Sequence, residues 1–284
     1  MGKENKRDLA ARLGVSRASL YYVPRKPSKD WTLKCSMEEV LRIHPSYGHR
    51  RLALHLRVNK KRTLRVMKLF GIQPYRRRGR KWRKPAEKLE NVVSNLLMDI
   101  EPAYPNHVWV SDFTHITWRG ITLYLATMMD LFTRRIMGFS VLTNHSVELV
   151  INALFSGIHK HPSPKILHSD RGSEYTSVAM RMLCELLGIT QSMSHAGCPW
   201  ENGYQESFYS QFKVDLGDPG RFESLGELVY EIYRLLHVYN TSRIHTTLKM
   251  PPEIFHQLHE RRAMMMGNEK LVLQCEPQSC VMSA

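Results

Sequence analysis

Three consecutive runs of β-branched and aromatic residues constrain the fold of this chain more than any other feature of its sequence. The first run, HVWVSDFTHITW, turns at WRG (118–120) into the second, ITLYLATMMDLF, and the third, RRIMGFSVLT, follows almost at once. Connections this short join antiparallel neighbours, because a parallel crossover needs a dozen or more residues. The runs therefore predict three antiparallel strands.

The sequence after these runs alternates between helical and strand patterns. A helical segment at 147–160 precedes the short strand KILHSD, and a second at 178–187 precedes the strand ITQSMS. Further helices begin near residues 201 and 225. The order βββαβαβα predicts an α/β fold with a mixed five-stranded sheet and helices packed on it. This arrangement resembles the ribonuclease-H-like architecture.

Positive charge is concentrated in the first third of the chain. Residues 1–90 hold 26 lysines and arginines against 7 acidic residues, whereas residues 91–284 hold 15 against 19. An asymmetry of this size points to a polyanionic partner, although a solvated basic face without a partner is the simpler alternative. No apolar run approaches 18 residues, and the five cysteines form no CxxC pair, so we expect a reduced, cytoplasmic protein without a membrane partner.

Residues 8–22 have the pattern of a helix-turn-helix. Gly14 permits the left-handed turn, and Val15 is expected to fill the space between the two helices. Arg17 and Ser19 would then lie at the start of a recognition helix that contacts DNA. Because only seven residues precede the first helix, the unit is expected to be partial, and a helical hairpin without DNA contact is the alternative.

A second helical unit is predicted to follow, and then the segment RRRGRKWRK, in which seven of nine residues are basic. Lysine and arginine side chains here would neutralise phosphates, which gives salt-sensitive affinity without sequence preference. The residues expected to contact DNA in these two segments are Arg50, Arg51, Lys60, Lys61, Arg62, Arg76, Arg77 and Arg78.

These patterns predict five segments along the chain. They are a partial helix-turn-helix (1–30), a second helical DNA-binding unit (31–75), a basic linker (76–104), a catalytic core (105–256) and a C-terminal tail (257–284).

Three carboxylates occupy positions that suit metal binding. Asp112 lies in the middle of a strand, where an unpaired buried charge is costly. Asp170 ends a short strand, at the kind of edge where ligands bind, and Glu206 lies on the helix that follows. Oxygen ligands from three elements suit two Mg²⁺ ions, for which Mn²⁺ could substitute. The alternatives are that Asp112 is an unusual strand residue, that Asp170 is an ordinary turn aspartate and that Glu206 is a solvated helix residue.

Several motifs resemble those of bacterial insertion-sequence transposases, and more narrowly the second-reading-frame protein of elements with two overlapping frames. HSDRGSEYTS (168–177) and CPWENGYQESFYSQFK (198–213) are similar to the integrase-core motifs of that family. YNTSRIHTTLKMPPEIF (239–255) is similar to its terminal segment, and YGHRRL (47–52) to its second helical unit. The resemblance extends from residue 8 to about residue 256.

The resemblance implies an Asp-Asp-Glu site in which Asp112, Asp170 and Glu206 are catalytic and bind metal, while Lys213 approaches DNA. It implies Mg²⁺-dependent cleavage and strand transfer at the ends of an element in double-stranded DNA. A homo-oligomer on DNA, a partnership with the upstream-frame protein and association with the bacterial nucleoid follow from the same resemblance. A DNA-binding regulator of transposition with a catalytically silent core is the alternative.

The sequence allows more than one role for several further residues. Glu174 stands where the family often has glutamine, and Glu201 where aspartate is usual, so each adds a carboxylate near the expected site. Asp130 lies between two strands and is interpreted as a turn residue. Arg243 is expected either to contact DNA or to hold the last helix.

Overall fold

The computed structural model describes residues 5–21, 26–75, 93–195 and 203–274 of the 284-residue chain. The chain divides into two compact units. The first, which we call the N-terminal unit, comprises residues 1–43 and 48–73. The second, which we call the body, comprises residues 44–47 and 74–284. The division expected from the sequence placed residues 44–47 in the second helical unit, whereas in the structure they belong to the body.

The N-terminal unit is helical. It contains α1 (Lys6–Arg12), a 3₁₀ helix (Arg17–Tyr21), α2 (Lys26–Ile43), α3 (His49–His55) and α4 (Lys60–Leu69). The amide oxygen of Asn59 caps α4 by accepting a hydrogen bond from the Lys61 N–H at 2.8 Å. The core of the unit consists of buried apolar side chains from α2, α3 and α4: Leu33, Met37, Val40, Leu52, Val66 and Met67.

The helix-turn-helix expectation is only partly met. Gly14 adopts the left-handed conformation, with φ of 63°, as the turn requires. However, the expected recognition helix is a 3₁₀ helix of five residues, and Val15 is 42% exposed rather than packed between helices. A 3₁₀ helix this short presents too little surface to cover Val15. Moreover, α2 runs continuously across residue 30, where we expected a boundary.

The body is built on the predicted mixed five-stranded sheet. The strands are β1 (Val108–Trp118), β2 (Ile121–Asp130), β3 (Ile136–Leu142), β4 (Ile166–Ser169) and β5 (Thr190–Met193). They lie in the order β3-β2-β1-β4-β5. The first three strands pair antiparallel, whereas β4 pairs parallel with both β1 and β5. The α/β, ribonuclease-H-like fold class is therefore confirmed.

Helices cover both faces of this sheet. Residues of α5 (Val147–Ile158) and α7 (Val178–Leu186) join a buried cluster with Trp109, Ala126 and Met128. Residues of α8 (Gly203–Leu216) and α9 (Leu225–Thr241) join another with Val108, Val110 and Leu125. Because neighbouring residues of a strand point to opposite faces, β1, β2, β3 and β4 each contribute to both clusters. A short helix, α6 (Ser173–Thr176), was not expected from the sequence.

The ends of the expected core differ from the prediction. Residues 93–104, assigned to the linker, include a 3₁₀ helix (Leu96–Met98) whose leucines pack against the body. The Leu96 N–H donates to Ser192 Oγ at 2.9 Å, which ties this segment to β5. At the other end, α10 (Pro252–Gln274) continues through the first part of the expected tail. Residues 76–92, with Arg76, Arg77 and Arg78, lie outside the described residues.

Among the helices that the structure describes, none is both long and apolar enough to cross a membrane.

Candidate active site

Asp112 lies in β1, two residues beyond the stretch Val108–Val110 that pairs with β4. Its carboxylate accepts a hydrogen bond from the next backbone N–H, that of Phe113, at 2.8 Å. Burial raises the pKa of Asp112 to about 7, and the negative charges of Asp170 and Glu206 contribute to the rise. The ammonium group of Lys213 acts in the opposite direction. The three predicted carboxylates and the predicted lysine are therefore electrostatic neighbours.

Asp170 follows the last residue of β4. Its Oδ1 accepts a hydrogen bond from the Gly172 N–H at 3.0 Å, which closes a tight turn after the strand. A Cβ atom at residue 172 would lie 3.2 Å from that Oδ1 and 3.0 Å from Glu174 Oε2, so glycine suits this position. Burial, and then the charge of Glu174, raise the pKa of Asp170.

Glu174 is buried beside Asp170 but is held by hydrogen bonds of its own. Its Oε1 lies 2.7 Å from His145 Nδ1, and its Oε2 accepts from Ser173 Oγ at 3.1 Å. Burial opposes ionisation of Glu174, but the hydrogen bonds from His145, its own backbone and Ser173 outweigh that penalty and lower its pKa. Glu201, the other additional carboxylate, lies outside the described residues.

Helix α8 supplies Glu206 and Lys213. Glu206 is exposed near the start of the helix, and Lys213 is half-buried near its end. Lys213 lines a cavity of about 390 Å³ between β1 and the end of α8, together with Tyr75, His115 and Asp218. Helical spacing thus allows one carboxylate to face Asp112 while the lysine lines an adjoining groove.

Two buried side chains of α8 escaped the sequence analysis. Gln205 donates from Nε2 to the carbonyl oxygens of Val110 (2.8 Å) and Thr127 (3.2 Å). Tyr209 places its hydroxyl 2.5 Å from the backbone carbonyl oxygen of Asp112. These bonds attach α8 to β1 beside Asp112. Neither residue was assigned a role from the sequence. The only sequence signal that could have identified them is their spacing of four residues, which places both on one face of the helix that carries Glu206.

The apolar stripe expected on α8 also differs at one position. Phe208 and Phe212 are buried as predicted, but Tyr204 is 48% exposed, and the guanidinium of Arg134 lies 4.1 Å from its ring centre. Gln205 takes the inward position instead, because its amide is fully satisfied by strand groups.

The expected DNA-contacting residues of the N-terminal unit differ in accessibility. Arg62 is half-buried and donates to the Lys29 carbonyl oxygen at 3.0 Å. Asp30 lies 3.8 Å from Arg62 and forms a closer ion pair, 2.6 Å, with Arg65. Arg62 therefore takes part in the packing of its own unit. Arg51 is also half-buried, whereas the side chains exposed to solvent are Arg17, Ser19, Arg50, Lys60 and Lys61.

The donor set of this site fits a divalent cation. Asp112, Asp170 and Glu206 offer the oxygen ligands that Mg²⁺ prefers. Burial is the main cause of the raised pKa of Asp112, and a bound cation would relieve the carboxylate repulsion that adds to it. Within the described residues, no three acidic, histidine or cysteine side chains already converge on one point.

The chain matches known proteins over most of its length. Two family models, both described as integrase core domain, match residues 102–199 and 187–252. The transposase of insertion sequence element IS904 from Lactococcus lactis is 32% identical over 246 residues, 79% of this chain and 94% of that protein. The 31 kDa protein of insertion element IS600 from Shigella sonnei is 31% identical over 268 residues, 88% and 98% of the two chains.

Among solved structures, the integrase catalytic core domain of HTLV-2 covers 55% of this chain and 99% of that domain, with a TM-score of 0.43 and 20% identity. The family of this chain is assigned from the two insertion-sequence proteins, because the alignments cover nearly their whole length. This chain belongs to the insertion-sequence transposases that contain an integrase core.

Proposed function

We propose that this transposase cleaves DNA at the ends of an insertion sequence and joins those ends to target DNA in Mg²⁺-dependent reactions. Asp112, Asp170 and Glu206 are the metal-binding catalytic residues in this proposal. The observation that carries it is the raised pKa of Asp112, which burial and two neighbouring carboxylates produce together. Such crowding of like charges is more typical of a catalytic site than of a structural one.

The reaction would proceed in two displacements at phosphorus. Water first attacks a phosphodiester at the element end, and the freed 3′ hydroxyl then attacks a phosphodiester of the target. Two bound Mg²⁺ ions would supply activation of the attacking oxygen and stabilisation of the leaving one. Lys213 would neutralise a phosphate in the groove that it lines, while Gln205 and Tyr209 hold β1 against α8.

The N-terminal unit would bind the element ends. Arg17 and Ser19 are exposed and can reach base edges, whereas Arg50, Lys60 and Lys61 are exposed and can contact phosphates. Arg51 and Arg62 are retained as candidates, although both are half-buried in their own unit. Arg76, Arg77 and Arg78 would add contacts to phosphates.

One body carries one set of the three carboxylates, and an element has two ends to be joined. We therefore propose that copies of the chain assemble on DNA, alone or with the upstream-frame segment attached. Light scattering of the chain with end DNA, with and without that segment, tests this. A complex of one chain with one DNA that still completes strand transfer in both preparations contradicts it.

The catalytic assignment is tested with Asp170→Asn and Glu206→Gln, measured for cleavage of duplexes that carry a candidate element end. We expect each variant to bind the duplex as the parent does and to lose cleavage by about a thousandfold, since each removes a metal ligand. Glu185→Gln, which changes an exposed glutamate of α7, is the matched control and should cleave normally. A parent chain that binds end DNA but never cuts it supports the silent regulator instead.

A further inference from the structure

A short segment, residues 44–47, connects two parts of the N-terminal unit yet is held within the body. His44 and Tyr47 are buried, and their rings stack with centres 4.5 Å apart. The Pro45 carbonyl oxygen accepts a hydrogen bond from the Tyr75 N–H at 3.1 Å, where the chain has returned to the body. The outgoing and returning connections are thus bonded to each other inside the body.

Arg243, which is 5% exposed, anchors this segment. Its guanidinium forms an ion pair with Asp215 and donates to Ser46 Oγ (2.8 Å) and Gln211 Oε1 (3.0 Å). Ser46 Oγ in turn donates to Asp215 Oδ1 at 3.0 Å, and the backbone N–H that follows Arg243 donates to the Tyr47 hydroxyl at 2.7 Å. A planar guanidinium that meets three acceptors in this way fixes their relative positions.

The partners of Arg243 show which elements of the body this anchor connects. Asp215 and Gln211 lie on α8, the helix that also carries Glu206 and Lys213. On the other side, the anchored segment leads through Gly48 directly into α3, which begins at His49 and presents the exposed Arg50. The point where the chain leaves the body is therefore bonded to the helix that supplies one of the catalytic carboxylates.

We propose that Arg243 is a positioning residue that fixes this exit point against α8, so that DNA held by the N-terminal unit is cut at a constant distance from the sequence that is recognised. The inference rests on the function proposed above. Arg243 acts through Ser46 and Asp215, not on the DNA. A residue that merely stabilised the fold would change how much protein is active, whereas a positioning residue changes where the cut falls.

The test uses the full-length chain, Mg²⁺ and an end-labelled duplex that carries an element end, with cut positions mapped to single nucleotides. Ser46→Ala removes one hydroxyl from the anchor, and Arg243→Lys keeps the charge but loses the planar fork. We expect both variants to bind the duplex within about twofold of the parent and to cut at displaced positions at least about threefold more often. Arg234→Lys is the matched control, because Arg234 forms an exposed ion pair with Glu231 on α9.

Unchanged cut positions in a folded Ser46→Ala variant would overturn the proposal, whatever happens to the rate. Loss of end binding in that variant would also overturn it, because the segment would then serve recognition itself. Hydroxyl-radical footprints of the same complexes separate this inference from the proposed function if the parent does not cut. Protection that blurs beside the recognition sequence only in the anchor variants supports the positioning role, and identical footprints contradict it.

Discussion

Two aspartates on neighbouring strands, Asp112 in the middle of β1 and Asp130 at the end of β2, are surrounded in opposite ways. Asp130 is fully buried and accepts hydrogen bonds from the Thr133 N–H at 2.9 Å, the Thr133 hydroxyl and the Asn106 N–H at 3.2 Å. Asp112 accepts one from its neighbouring N–H and faces the negative charges of Asp170 and Glu206. Burial raises the pKa of both aspartates, so burial alone does not distinguish them.

The nature of the neighbours does distinguish them. Around Asp130, nearby backbone and hydroxyl donors fasten the turn between β2 and β3, which supports its interpretation as a turn residue. Around Asp112, the neighbours are carboxylates from the turn after β4 and from α8, which are distant in sequence. Hydrogen-bond donors around a carboxylate stabilise its charged form, whereas neighbouring carboxylates raise its pKa and favour binding of a proton or a cation.

The largest expected effect comes from replacing each aspartate with asparagine. Asp112→Asn should lose cleavage by about a thousandfold, equivalent to about 4 kcal/mol, and remain folded. Asp130→Asn should lose about 2 kcal/mol of unfolding free energy, because an amide nitrogen cannot accept from the donors around it. Cleavage assays and urea denaturation of both variants measure the two effects. The comparison fails if Asp112→Asn unfolds while Asp130→Asn keeps full stability.

Much of this comparison could be predicted from sequence. Strand periodicity located Asp112 within β1, and a short strand followed by Arg-Gly located Asp170. The burial of Gln205 could not be predicted, because a glutamine enters a core only where strand carbonyls happen to satisfy its amide. The role of Arg243 was equally hidden, since its partners Ser46 and Asp215 are brought together only by tertiary structure.

A second prediction concerns the pH dependence of stability without metal. In the folded chain Asp112 has a pKa of about 7, against 3.8 for the unperturbed group. A raised carboxyl pKa means that the folded state binds more protons, so the contribution of Asp112 to stability is greatest below pH 4 and falls as the pH rises towards 7. The loss is at most about 4 kcal/mol. Denaturation of parent and Asp112→Asn between pH 4 and 8 should show the free energies diverging, with the variant more stable at pH 8.

A third prediction concerns metal addition at pH 8. Mg²⁺ should stabilise the parent by up to about 3 kcal/mol at a hundredfold excess over its dissociation constant, because only the folded chain assembles the three carboxylates. Thermal unfolding with increasing Mg²⁺ measures this shift, which should vanish in Asp112→Asn and Glu206→Gln. Asp130→Asn should retain it despite its lower starting stability. An equal shift in all four proteins would show that the ions bind elsewhere.

The smallest expected effect comes from Glu174→Gln, which sharpens the comparison at a carboxylate of intermediate character. Like Asp130, Glu174 is buried and hydrogen-bonded, in this case by His145 and Ser173, but like Asp112 it repels a carboxylate, that of Asp170. Glutamine keeps an oxygen for His145 and removes the charge, so the free energy of unfolding should change by less than about 1 kcal/mol.

The Mg²⁺ concentration at half-maximal stabilisation should rise about threefold in Glu174→Gln, because one negative charge near the site is gone. Cleavage at saturating Mg²⁺ should stay within about threefold of the parent. If this variant instead lost cleavage as completely as Asp112→Asn, Glu174 would be a fourth functional carboxylate. The number of hydrogen bonds that a carboxylate accepts would then not distinguish structural from catalytic acids in this fold.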